Sequence, residues 1–155
     1  MPALVNYTAL TPATGFNDTF PICAASPVDG VGKDFWRKIR IDFTLTNLEA
    51  ADWAKIMVIP AHTYVFEVIT VIVAQEGQGS GLTIGDANSD SDATWLSSQA
   101  ADTKDVVKIT LVADANGATR GKYYHAAGAI YCSGTSKFDA LILDVYVHCM
   151  TIDPA

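Results

Sequence analysis

Between Leu141 and Met150 the chain alternates without a break. Leu141, Leu143, Val145, Val147 and Cys149 fall on one side of a period of two, and Ile142, Asp144, Tyr146, His148 and Met150 fall on the other. Successive side chains of a β-strand point to opposite faces, so this repeat predicts a strand and excludes a helix. The first set is the inward face. The second set contains only Asp144 and His148 as strongly polar members, so the outward face is apolar enough to serve as an interface.

The same period recurs upstream. Ile39, Ile41, Phe43 and Leu45 alternate with Arg40, Asp42, Thr44 and Thr46, which predicts a second half-buried strand. Thr63 to Gln75 is a long β-branched run, with Val65, Glu67, Ile69, Val71 and Val73 on one face and Phe66, Val68 and Ile72 on the other. Apolar residues on both faces place it centrally between layers or half exposed to a partner. Shorter strands are expected over 56–59, which stops at Pro60, over 82–85, over 107–111 and over 122–132, the last with little side-chain bulk. Asn47 heads a run of helix formers from Leu48 to Lys55, which predicts one or two helical turns with Asn47 as N-cap. Glu76 to Gly81 has the composition of a hairpin connection. The segment around 95–103 reads as a polar loop, and Asn116-Gly117 as a turn.

About seven or eight short strands and one brief helix give an all-β fold, a β-sandwich of jelly-roll type. Residues 1–35 keep neither period. Pro2, Pro12, Pro21 and Pro27 interrupt them, yet Leu4, Tyr7, Leu10, Phe16, Phe20 and Ile22 recur. Disordered tails are poor in aromatics, so this segment is expected to be an extended arm pinned to its own sandwich or to a neighbour. Residues 36–155 form the sandwich domain.

At 155 residues the chain is one domain with room for a real core. Apolar residues make up 50% and charged residues 17%, below the usual charged share of about a quarter. That shortfall is what a surface covered by neighbours, or a large core, would leave. The net charge of −7 and ten scattered basic residues, with Arg37-Lys38-x-Arg40 as their only grouping, argue against a nucleic-acid partner. The longest apolar run, Tyr64 to Ala74, is too short for a membrane helix and contains Glu67. No signal-peptide pattern opens the chain, so synthesis in the cytoplasm is expected. Three cysteines, Cys23, Cys132 and Cys149, form no C-x-x-C pair; free buried thiols are expected, with a Cys132–Cys149 bridge sterically conceivable.

No catalytic constellation emerges, so no enzymatic activity and no cofactor are expected. His62, His125 and His148 sit in separate segments without a zinc or catalytic motif, and His148 points away from Cys149. Asp86, Asn88, Asp90 and Asp92 place oxygens at alternate positions as calcium loops do, making them a weak metal candidate. Ser91 and Ser97 stand where an EF-hand needs Gly and Glu, and Asp and Asn also serve turns with their own side chains. The glycine run 77–81 is not G-x-G-x-x-G. Trp36, Trp53 and Trp95 have the chemistry to stack on sugars, although packing is the commoner use of tryptophan.

An ordered set of segments carries a resemblance. Ala51 to Val65 (ADWAKIMVIPAHTYV), the glycine loop, Leu82 to Asp92, Gly121 to Ala127 (GKYYHAA) and Asp144 to Cys149 (DVYVHC) occur in this order. Together, over residues 36–152, they resemble small structural proteins of tailed bacteriophages. The resemblance implies a capsid decoration, or cement, protein on the outer surface of the virion head, made in the host cytoplasm. It implies the major capsid protein as partner, self-association as a dimer or trimer, and neither cofactor nor catalytic residues. On that reading Tyr7, Phe16, Phe20, Ile22, Trp95, Tyr124 and Tyr146 are the candidate interface residues. Two alternatives stand beside it: a receptor- or glycan-binding module using an exposed Trp95 with Tyr123 and Tyr124, and a head–tail or tail component.

Overall fold

A computed structural model describes residues 4–6, 34–50, 52–85, 95–104, 107–111 and 121–152. The strands are β1 (Leu4–Asn6), β2 (Asp34–Asp42), β3 (Trp53–Ile59), β4 (Thr63–Ala74), β5 (Gly81–Gly85), β6 (Leu96–Ala100), β7 (Val107–Leu111), β8 (Lys122–Tyr124), β9 (Gly128–Gly134) and β10 (Ile142–Thr151). They form two sheets. Sheet I has the order β1-β3-β9-β5-β6, and sheet II the order β2-β10-β4-β7 with β8 also paired to β4. All pairings are antiparallel except β1 with β3. The expected all-β sandwich is what forms.

The core lies between the sheets. Sheet II contributes Phe35, Ile39 and Ile41 from β2, Val65, Val68 and Ile72 from β4, and Leu143, Val145, Val147 and Cys149 from β10. Sheet I answers with Ile56, Met57, Ile59, Leu82, Ile84, Ile130 and Cys132. Removing these chains from water supplies most of the driving force, at about 1.5–3 kcal/mol for each large side chain. A buried polar tie links the sheets: the Thr70 hydroxyl of β4 donates to Gln99 Oε1 of β6 at 2.8 Å.

Five local expectations are corrected. The strand expected over 39–46 runs from Asp34 to Asp42 and ends in a turn that leaves Leu45 52% exposed. The single strand expected over 122–132 is divided into β8, paired to β4 in sheet II, and β9 in sheet I. Among the described residues of 48–55 no helix forms. Leu48 instead exchanges two backbone hydrogen bonds with Phe138 (3.0 and 2.8 Å), and Trp53 already opens β3. Burying Leu48, Trp53, Ala54, Ile56 and Met57 in one core outweighs the local helix propensity. The 95–103 segment contains a strand, β6, because Leu96 and Gln99 are buried against β5 and the core. The 76–81 connection is not a hairpin, since β4 and β5 belong to different sheets. The chain crosses from one layer to the other there, with Gly79 at φ 80° making the turn.

Cys132 is a free buried thiol whose pKa burial pushes up to about 12. The conceivable Cys132–Cys149 bridge therefore does not form. Cys149 itself is disulfide-bonded, against the expectation of free thiols, and the other half of that bridge lies outside the described residues.

Candidate interaction surface

The outer face of sheet II is built by the side chains that alternation turns away from the core. On β2 these are Asp34, Trp36, Lys38 and Arg40; on β10 they include Asp144, Tyr146, His148 and Met150. Register places Trp36 beside His148 and Lys38 beside Tyr146. On β4 strict alternation fails. The pairing with β10 shifts between His148 and Cys149, so that Val65 and Val68 both reach the core while Phe66 and Glu67 remain outside it. This bulge corrects the two faces expected from the sequence, because one extra residue reverses every side chain beyond it.

The result is a row of rings across three strands. Trp36 stacks on His148 with centroids 4.4 Å apart and planes within 6°. Phe66 covers the other side of His148 at 4.8 Å, and Tyr64 meets Phe66 edge-on at 4.9 Å. His148 Nε2 lies 2.9 Å from Asp34 Oδ2, and its Nδ1 lies 3.4 Å from Glu67 Oε1. The hydrogen bond to His148 holds the Asp34 carboxyl below its ordinary pKa. Trp36 remains 45% exposed, and Leu45, in the turn after β2, is 52% exposed. These are the two large apolar side chains left open among the described residues.

Next to the rings, the sequence-adjacent cations are neutralised from below. Arg40 donates through Nε and Nη2 to both oxygens of Asp144 at 2.7 and 2.8 Å, and Lys38 Nζ lies 2.9 Å from Asp144 Oδ2. Asp144 is only 4% exposed. The Arg40 guanidinium, with help from Lys38, holds its pKa below the usual carboxylate range despite burial. Lys38 Nζ also stands 5.2 Å over the Tyr146 ring.

The structure separates the expected interface residues. Tyr146 stands half-buried on this face. Trp95 and Tyr124 do not: Trp95 is 0% exposed and Tyr124 is buried in the core, where burial pushes the phenol pKa well up. The exposed Trp95 expected for a glycan module is thereby corrected: Trp95 immediately precedes β6, its side chain is in the core, and its backbone N–H bonds Ile84 O at 3.2 Å. Tyr7, Phe16, Phe20, Ile22 and the loop residues Asp86, Asn88, Asp90 and Asp92 lie outside the described residues. Among the described residues no group of three His, Cys, Asp or Glu is placed to hold a metal.

Trp36, Tyr64 and Phe66 were not singled out as a group by the sequence, because they come from strands that only pairing makes adjacent. The period-two pattern of β10 pointed to their central member, His148. His62 and His125, unrelated in sequence, also meet around one ring: His62 Nδ1 is 3.0 Å from the Tyr123 hydroxyl, and His125 packs edge-on to Tyr123 at 4.4 Å.

No family model matches the chain, and no curated protein matches it. Solved structures do. A chain from the capsid of Ralstonia phage GP4 superposes with a TM-score of 0.65 at 14% identity, covering 97% of this chain and 99% of that one. A chain from the acidic stable capsid structure of Helicobacter pylori bacteriophage KHP30 gives 0.56 at 11% identity, over 81% and 91% of the two chains. A chain from the capsid asymmetric unit of cyanophage Pam1 gives 0.54 at 16% identity, over 91% and 99%. At these identities the likeness is one of fold, and the fold is that of chains found in three bacteriophage capsids.

Proposed function

We propose that this chain is a structural protein of a bacteriophage head, a decoration protein that binds the major capsid protein on the outer surface and stabilises the shell. The observation that carries the reading is the whole-length fold likeness to the GP4 capsid chain, which covers 97% of this chain and 99% of the other. The outer face of sheet II supports it: aromatic rings and salt-bridged cations at a partly open face suit packing against protein. The net charge of −7 suits a position away from packaged DNA. The role asks for binding and no chemistry, so no residue is assigned to catalysis.

Purified protein mixed with heads that lack it tests the reading. Binding over the shell in electron micrographs, with a higher temperature of head rupture, is the expected result. Failure to bind any shell of the phage that encodes it ends the proposal. A glycan-binding reading is less well supported, because two of the aromatics it would use, Trp95 and Tyr124, are in the core.

A further inference from the structure

We propose that β2 is a self-pairing edge: two copies of this chain join antiparallel through it, about a two-fold axis at Arg37, making one continuous sheet from both copies of sheet II. This names the partner surface for the self-association in the reading above, and it stands or falls separately from head binding.

β2 is the end strand of its sheet, and among the described residues β10 is its one strand neighbour. It is nine residues long and pairs with β10 in unbroken register. The N–H of Phe43 donates to Leu141 O at 3.0 Å, so the register gives the odd-numbered residues of β2 backbone bonds towards β10. The even-numbered residues, Asp34, Trp36, Lys38 and Arg40, then direct their N–H and C=O groups to the open side. The Trp36 carbonyl agrees with this, because it accepts from the side chain of Arg37 (3.0 Å) and, among the described residues, from no strand. One face of the Trp36 ring is covered by His148. The residue is nonetheless 45% exposed, on the end strand of the sheet.

Charges on an edge strand ordinarily prevent pairing. What decides here is how they match in each register. Centred on Arg37, Asp34 faces Arg40 of the second copy and Trp36 faces its Lys38, each contact made twice by symmetry. Phe35 faces Ile39 on the core side, lengthening the apolar layer. The one like pair is Arg37 with itself, and that guanidinium already lies over its own Phe35 ring at 4.7 Å. Centred on Lys38, the strand would instead set Lys38 on Lys38 and Asp34 on Asp42. Centred on Trp36, it would lose the Arg40 contact. Arg40 retains donors beyond the two that Asp144 uses, and Asp34 Oδ1 is not the oxygen bonded to His148. A cation over Trp36 and an ion pair at each end give the register its specificity.

Cysteine pairs read the register directly, because antiparallel partners stand about 4.5–5.5 Å apart at Cα, within disulfide reach. Trp36→Cys and Lys38→Cys chains, oxidised separately, are expected to form no covalent dimer through these positions. Mixed, they are expected to cross-link 36 to 38, and Arg37→Cys alone is expected to cross-link to itself, all read by mass spectrometry of the joined peptides. Sedimentation of the unsubstituted chain should show a dimer, and Asp34→Arg should weaken it at least about tenfold by facing Arg40. Circular dichroism checks that each variant keeps its sheets. A monomer at every concentration, a trimer, or self-linking of Trp36→Cys or Lys38→Cys overturns the pairing. A monomer that still binds heads overturns only the pairing, and a dimer that ignores heads overturns only the decoration reading.

Discussion

Two carboxylates show how much a single residue's role depends on what surrounds it. Glu76 opens a glycine-rich run and would pass for a solvated turn residue, yet it is 7% exposed. Its Oε2 accepts the backbone N–H groups of Asp139, Ala140 and Leu141 at 2.9–3.0 Å, and Oε1 that of Gly77 at 3.2 Å. Burial raises the pKa of this carboxyl, but the four N–H groups together outweigh it and hold the value below normal. Glu76→Ala is expected to cost about 2–3 kcal/mol in urea unfolding, since it strands buried donors, and Glu76→Gln less. Asp144 is the comparable case on sheet II, lowered first by Arg40. Asp144→Asn is expected to cost about 1–2 kcal/mol, limited because its cationic partners are half exposed and solvent-screened. Both groups bind protons more weakly when folded, so their stabilisation is present above the ordinary carboxylate pKa of about 4 and is lost as pH falls through the lower folded values. Urea midpoints measured from pH 7 to pH 3 should fall for the unsubstituted chain and fall less for the Glu76→Gln, Asp144→Asn double variant; parallel curves would contradict the assignment.

Among the elements, β4 carries the clearest departure from a regular pattern. Its bulge sends Phe66 and Glu67 outward together, and without that extra residue Phe66 would not reach the ring of His148. Gly121, entering β8, lies against the bulge: a Cβ there would run into the Val65 carbonyl and the Tyr64 ring, and would meet the Phe66 Cα at 2.9 Å. Gly121→Ala is therefore expected to push β8 off β4 and to cost about 1–3 kcal/mol, read as a lower unfolding temperature and faster amide exchange at Lys122–Tyr124. The long alternating run marked β10, which has one buried face and one more open face; the run from Ile39 to Thr46 marked only the second half of β2, because the strand starts at Asp34 and gives way to a turn after Asp42. β3 and β6 were less legible. Leu48–Lys55 has helix-forming composition and the start of β6 is polar, and only contacts with distant strands override those local preferences.

At the scale of the molecule, connections that cross between layers arrange the strands into two sheets whose neighbours are mostly remote in sequence. β10, last in the chain, sits between β2 and β4, and β9 sits between β3 and β5. Such pairings close long loops, so folding of this domain should be slow for its size, on the order of milliseconds to seconds in stopped-flow refolding. The proposed arm belongs to this scale as well. Deleting residues 1–33, which precede β2 and include the edge strand β1, is expected to lower the unfolding midpoint but keep a cooperative transition of the remaining strands, while weakening attachment to heads. Truncated protein that binds as tightly as the full chain would show that the arm is not a clamp.

The sequence by itself determined the fold class, the existence of the strongest strands and the buried face of β10, because period two and burial are properties of consecutive residues. It also marked β10 as carrying a second apolar face. Only the tertiary structure decided which strands are neighbours, that Trp36, His148 and Phe66 form one row, that Trp95 and Tyr124 belong to the core, and that Glu76 and Asp144 are buried and bonded. Those outcomes depend on register, a bulge and layer-crossing connections, which bring together residues that local propensity treats as independent.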